Sequence, residues 1–247
     1  MRKAFPIAIA VALSLCVAAI AVAQSSSSNV YKVTGRIASG GTKKRPKHVA
    51  IVFDYTVGTN DGTLSKPVSK YSIHFAGLRQ NLKNVAGGRY CSAASINTAG
   101  NDRGCARATH VGTGLVRSFI GAAGRAIDPS AKCDLKLDMY VGGPSSLALY
   151  LHGSPPQCIA GISQAIDAKV STDSTGGSLS YSVPANLLHP VAGLDAGITS
   201  VSSTVAKGAG DRGPFTSIGC KGSRTIKVTF TEEGGGTGTA TTSGGKC

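Results

Sequence analysis

This sequence predicts an all-β fold, and three observations predict it. Apolar and polar residues alternate along many short stretches. Clusters of small and turn-forming residues separate those stretches. Glycine is abundant at 33 of 247 residues, Ser and Thr are frequent, and the apolar residues are often Val, Ile and Tyr.

The alternation begins at VYKVTGRI (30–37) and returns in HVAIVFDYTV (48–57), KYSIHFAG (70–77) and CDLKLDMYV (133–141). It continues through SLALYLHG (146–153), SLSYSV (178–183), ITSVSSTVA (198–206) and TIKVTFT (225–231). In several of these every second residue is apolar, the period of a half-buried strand. Turn clusters lie between them: ASGGTKKRP, GTNDGT, GGPSS, STDSTGG and EEGGG. The loop KRPKH (44–48) precedes a strand, where proline is tolerated. Helix is expected only as short turns, in LVRSFIGAAGRAI (115–127) and in ANLLHPVAGL (185–194), which Pro190 breaks. The Gly-rich tail ends in a cysteine, and GTATT (238–242) alternates like a strand. A hairpin of SRTIKVTF against TGTATT accounts for both. Gly-rich strands specify register poorly, which gives a closing disulfide there a physical purpose. Strands of this length and density predict an antiparallel β-sandwich, Ig-like or jelly-roll-like, with short helical turns.

The amino terminus predicts the compartment. Met1-Arg2-Lys3 is positive, residues 4–23 carry no charge, and Ala21-Val22-Ala23 precedes Gln24. This is the layout of a secretory signal peptide over 1–23, followed by a Ser-rich linker (24–28) and one domain (29–247). Left uncleaved, the run is long enough to span a bilayer; the small-residue exit and the serines favour cleavage. Cys16 follows Leu15, which is not the small residue a lipoprotein site needs, so it leaves with the leader. No later segment is apolar enough to span a membrane. If the domain divides, AAGRAIDPSAK (122–132) is the seam.

Six cysteines remain after the leader, an even number suited to an oxidising compartment and to three disulfides. Fifteen pairings exist for six cysteines. The spacings suggest the local one: Cys91–Cys105, Cys133–Cys158 and Cys220–Cys247. Each closes a loop of roughly 15 to 30 residues and stabilises by about 3 kcal/mol in the chain-entropy model. A zinc site from Cys91, Cys105 and His110 is the competing reading, but its thiolates would compete with oxidation, and no C-x-x-C pair is present to seed it. A redox pair also wants closer spacing.

Several short motifs together resemble a group of uncharacterised secreted proteins from actinobacteria. They are Asn60-Asp61-Gly62-Thr63 with Pro67, Phe75-Ala76-Gly77-Leu78, Cys91-Ser92 with Cys105, and Val111-Gly112-Thr113-Gly114. Val183 to Pro190 with Gly193-Leu194, and the Cys-strand-strand-Cys ending at Cys247, complete the set. The resemblance implies a secreted, disulfide-clasped, strand-rich domain and no particular activity. This chain departs from the pattern in its additional Cys133 and Cys158.

Catalytic signatures are sparse. Phosphate-binding glycine loops, H-E-x-x-H, G-x-S-x-G and EF-hand ligands are all absent from the sequence. Asp54 interrupts an apolar strand, and alternation turns it outward. Ser92, His110 and Asp102 supply the residue types of a nucleophile, base and orienter, but their geometry is unconstrained by sequence and a polar disulfide loop is the better explanation. His74 and His152 sit in strand patterns, as sheet-edge or solvent-facing residues. Glu232-Glu233 reads as a hairpin tip rather than an acid–base pair. NDG (60–62) and DSTGG (173–177) offer oxygen ligands, yet both are what tight turns require. No cofactor and no metal are expected.

Charge is the distinctive feature. Beyond the leader, 24 Lys and Arg face 12 Asp and Glu, a net of +12. Residues 24–89 hold 11 basic residues against Asp54 and Asp61, or +9 of that total. The candidate binding residues are Lys43, Lys44, Arg45, Lys47, Lys66 and Lys70. Such a field attracts polyanions and weakens with salt. With no Trp, and no aromatic residue in KKRPK, a dedicated nucleic-acid role is not expected. The expectation is a secreted, non-catalytic β domain associated with the cell envelope, binding an anionic wall polymer, surface or protein through its basic third. A secreted hydrolase using Asp54 or His110, and a protein self-associating through sheet edges, are the alternatives.

The disulfide reading is checked by mass and alkylation. The freshly secreted protein is expected to be lighter than its reduced form by six hydrogens, one pair for each of three disulfides, and to show no reactive thiol. A free thiol would reopen the metal reading.

Overall fold

The computed structural model describes residues 28–208 and 212–247. The expected leader and nearly all of the serine linker lie outside them. Eleven strands form one antiparallel sheet. In spatial order they are β1 (Val30–Ile37), β3 (Ile51–Gly58), β11 (Asp195–Val205), β6 (His110–Gly121), β7 (Lys132–Gly143), β8 (Ser146–Gly153), β9 (Ile162–Thr172), β10 (Gly176–Ser182), β4 (Val68–Ala76), β13 (Ser223–Glu232) and β14 (Thr237–Lys246). The two outermost strands, β1 and β14, come to lie beside each other, although no ladder joins them among the described residues. The strands therefore do not divide into two stacked sheets, as the sandwich expectation had it. They make one nearly closed, barrel-like sheet.

The period-2 pattern is what fills this barrel. Val33, Ile37, Ile51, Phe53, Tyr55, Ile73, Phe75, Leu137, Leu149 and Val228 are all buried and belong to one core inside it. Their strand neighbours, such as Lys32, Thr34, Arg36, Lys136 and Lys227, are exposed. LVRSFIGAAGRAI differs from its helical expectation: residues up to Gly121 are strand β6, paired with both β11 and β7. Val116, Ser118 and Ile120 point inward there, a period of two that the interleaved Leu115 and Phe119 obscure in the sequence. The 122–131 segment joins β6 to β7, two adjacent strands of the same sheet.

Each end of the barrel is closed differently. At one, the clasp end, β2 (Lys47–His48), β12 (Phe215–Ser217) and β5 (Leu78–Gln80) form a second, three-stranded sheet. Leu78, Phe215, Leu82 and Val85 plug the lumen below it. The Cys220–Cys247 disulfide lies at this end, tying the last residue to the start of the final hairpin. At the other, the lid end, residues 183–194 cross the mouth, with the single-turn helix α2 (Ala185–Leu188) presenting buried Leu187 and Leu188. Cys133–Cys158 binds the strand ends there.

A third element lies outside the wall. The loop closed by Cys91–Cys105 carries α1 (Ala93–Ala99), capped by Ser92, whose side chain accepts from the Ser95 N–H, and stopped by Gly100 at φ 67°. Ile96 packs on Tyr140, Ala148, Tyr150 and Ala165, so β7 to β9 are covered on both faces.

The seam between β1 and β14 is held by side chains. Gly35 and Gly244 leave room for Ile226 between the two strands, since a Cβ on either would lie 2.7 or 3.2 Å from its Cδ1. The neighbouring strand β13 contributes a buried charged residue near each end. Glu232 accepts from the Asn29 backbone N–H at 3.0 Å and from the Tyr31 hydroxyl at 3.2 Å, fixing the start of β1. Arg224 donates to Gly40 O at 3.2 Å, Ser217 Oγ at 2.6 Å and Lys246 O at 3.3 Å, fixing the far end.

Truncating Glu232 to Ala leaves buried donors without their acceptor. The expected loss is about 2–4 kcal/mol in chemical denaturation, from two charge-assisted bonds and their desolvation. Hydrogen exchange of Asn29 to Val33 should rise first; an unchanged midpoint would show that the seam closes without Glu232.

Candidate functional site

The six candidate basic residues do not form one patch. Lys43, Lys44 and Arg45 are exposed in the loop before β2, and Lys47 lies on β2 itself. Lys47 is opposite Ser217, which is opposite Leu78, at the clasp end. Lys70 lies on β4 near its lid-end start, and Lys66 precedes that strand. Eight residues of extended chain separate Lys70 from Leu78, roughly 25 Å.

The clasp end gathers other cations in place of Lys66 and Lys70. Arg79 faces outward on β5, opposite Thr216, which is itself opposite His48. Exposed Arg36, Lys83, Lys207, Lys221 and Lys246 surround this end. Asp173 is the carboxylate described nearby, and its oxygen is taken by the Thr175 N–H, the Thr175 hydroxyl and the Gly176 N–H. Asp61, Asp128, Asp134, Asp195, Glu232 and Glu233 instead lie toward the lid end, beside Lys66, Lys70, Arg125 and Lys132, while Asp54, Asp138 and Asp167 lie midway and Asp102 sits on Tyr140 of the outer wall. Charge is thus sorted along the barrel.

The nucleophile–base–orienter set does not assemble. Ser92 caps α1, Asp102 accepts the Tyr140 hydroxyl, and His110 turns to Asp138 instead. Asp138, on the outer face of β7, bridges two imidazoles, with His110 Nε2 at 2.8 Å and His152 Nε2 at 3.0 Å. Burial raises the Asp138 pKa, but the hydrogen bonds from His152 and His110 outweigh it and hold the carboxyl below its ordinary value. Tyr150 stacks on His152 and Tyr140 meets His110 edge-on. Cys91 and Cys105 are bonded to each other, which removes the thiolates of the zinc reading. Among the described residues, no group of three His, Cys, Asp or Glu side chains is disposed to hold a metal ion.

Asp54 sits mid-strand on the outer face, in register with Thr34 and Ser202. Asp61 accepts from the Thr63 N–H at 3.2 Å and from its hydroxyl at 2.7 Å, the geometry of a turn rather than an ion site. His74 meets the Thr175 hydroxyl at 3.0 Å.

Two features escaped the sequence reading. The first is a latch on the lid. His189 in the 183–194 segment meets Asp195 Oδ1 through Nδ1 and Glu233 Oε1 through Nε2, each at 3.0 Å. Glu233, chiefly, and Asp195 raise the His189 pKa above its ordinary value, against a smaller opposing effect of burial. The second is an apolar cavity of about 70 Å³ in the lid half of the lumen, lined by Tyr55, Tyr71, Tyr181, Leu149, Leu187 and Val201 among others. Alternation marks these side chains as inward-facing, but which of them meet across the lumen depends on barrel closure. No family model, curated protein or solved structure matches the chain. Among the described residues no helix is long and apolar enough to cross a membrane.

Because the folded-state pKa of His189 is raised, the latch is fully formed below the unfolded value of about 6.5 and is lost as pH rises through the folded one. Amide exchange over 183–194, corrected for intrinsic rates, is expected to accelerate as pH rises above about 6.5. Glu233→Gln should flatten that dependence; a flat profile in the native protein would show that the latch does not hold the lid.

Proposed function

We propose that this chain is a secreted, non-catalytic β domain that docks on an anionic cell-envelope polymer or surface through its clasp end. The observation that carries the proposal is the sorting of charge along the barrel. Lys43, Lys44, Arg45, Lys47 and Arg79 are presented together by one small sheet and its loop, with no salt bridge to a carboxylate among the described residues. Cations kept apart from carboxylates retain their full field, which raises the local concentration of polyanions and falls off with ionic strength. Three disulfides suit an oxidising, extracellular compartment, where such polymers are found.

The test is release of the protein from isolated actinobacterial cell envelopes across a salt series. Reversing Lys43, Lys44 and Arg45 to Glu should lower the salt needed for half-release by about half. Reversing Lys66 and Lys70, at the other end, should change it little per charge. Equal sensitivity per charge at both ends would mean that net charge alone drives retention, and the clasp-end reading would fail.

A further inference from the structure

Most strands of the barrel are laddered on both sides along their length, but β9 is not. Its pairing with β10 covers only Lys169–Thr172 against Ser180–Gly177, whereas its pairing with β8 runs from Ile162 to Lys169. Toward the lid end the wall therefore has a window between β9 and β10. On this free edge Asn97 of α1 takes the Ala165 backbone, donating through Nδ2 to Ala165 O at 2.9 Å and accepting from the Ala165 N–H at 2.7 Å. Asn186 of the lid donates to Gln164 Oε1 at 3.0 Å. Where a side chain takes a backbone edge in place of another strand, no ladder closes the wall at that point.

Outside this window is an open depression of about 460 Å³, bordered by Lys70, Gln164, Ser182 and Pro184. Inside it is the apolar cavity of the lumen. Tyr181 and Ile166 line both, so one layer of side chains separates solvent from the interior.

The cavity is apolar but for its phenols and Ser118, whose hydroxyl donates to Cys133 O. Tyr71 is 1 % exposed, stacks on Tyr181 with ring centroids 5.0 Å apart, and lies beside Tyr55. The Tyr55 and Tyr181 hydroxyls approach to 3.5 Å. No protein group meets the Tyr71 hydroxyl in good hydrogen-bond geometry, although the Tyr55 hydroxyl is close enough to interact with it. Nearly all buried polar groups in folded proteins are paired with protein or with ordered water, so a phenol with no well-placed protein partner beside an apolar space takes its partner from whatever occupies that space. Burial, before any other cause, raises the Tyr55 and Tyr71 pKa values and pushes Tyr181 up to about 12, so all three are neutral and able to donate at neutral pH.

We infer that the lumen is a binding site for a small apolar molecule bearing one hydrogen-bonding oxygen, which enters between β9 and β10 past Tyr181 and accepts a hydrogen bond from Tyr71. The volume is about half of the ~150 Å³ that lets an apolar cavity take up benzene, which sets the enclosed part of the ligand at roughly three heavy atoms, any further carbons lying in the window. A short alcohol or ketone, or the oxygenated end of a longer chain left in the window, has that size and polarity. Such sites combine an apolar lining with a few placed polar groups. The site is separate from the cations of the clasp end and does not depend on their role.

The test uses 1-butanol and the intact protein. Seven tyrosines and no tryptophan make tyrosine fluorescence a direct reporter, with methyl NMR shifts as the second readout. Titration is expected to saturate and to move the methyl signals of Leu149, Leu187 and Val201 together. Tyr71→Phe, which removes only that hydroxyl, should fold normally and bind butanol about tenfold more weakly. Val116→Ile, which lengthens a cavity-lining side chain, should abolish saturation, and this holds the test if Tyr71→Phe does not fold. Non-saturating shifts spread over the surface would overturn the inference. So would equal butanol affinity in the native protein and in Tyr71→Phe, because the oxygen would then not be recognised there.

Discussion

Two buried charges on one strand hold this barrel shut. A sheet that wraps on itself must join its first and last strands, and here β1 and β14 meet without a ladder. Glycines at the seam allow close approach but contribute no bonds. Glu232 and Arg224, near opposite ends of β13, reach across to the chain on either side of β1. Each uses charge-assisted bonds to backbone groups, which are stronger than neutral ones and would be costly to leave unmade. Cys220–Cys247 secures the glycine-rich partner strand, whose own side chains specify its register weakly. The lumen, the small sheet across one end and the lid across the other all presuppose this closure.

The chain also stabilises its wall unevenly. Along β7 to β9 the sheet is packed from both sides, by the lumen core within and by α1 without. The small Ala148 and Ala165 on the outer face admit the helix, and the disulfide around α1 keeps it there. Between β9 and β10 the ladder lapses and amide side chains take its place. Rigidity on one side of the wall and a gap on the next come from the same short helix.

Much of the secondary structure was legible because it rests on local alternation. Strand faces follow from the order of polar and apolar residues, as VYKVTGRI and TIKVTFT show. Barrel or sandwich does not, because each strand reports only that one of its faces is buried, not what it faces. The three local cysteine pairings agree with the structure: two join neighbouring antiparallel segments and Cys91–Cys105 closes the loop around α1. The β6 segment misled because Leu115 and Phe119, on its outer face, broke the alternation. The basic run at 43–47 was visible as a run, but Lys66 and Lys70 seemed adjacent only along the chain; β4 carries them to the other end. His189 with Asp195 and Glu233, and Asp138 with two histidines, depend on registers and on a lid that no periodicity encodes. Tyr71 reads in sequence as an ordinary core aromatic, and its unmet hydroxyl emerges only when all of its neighbours are in place.

The sorting of charge also gives the molecule a direction. With cations crowded at one end and carboxylates gathered at the other, the barrel is an electric dipole aligned with its own axis. Near a negatively charged layer it would turn before it touches, and would settle upright. The carboxy terminus would then lie at the bottom of the standing cylinder, with the segment bearing His189 at the top. The gap between β9 and β10, high on its flank, would open sideways into solvent and not into the layer below.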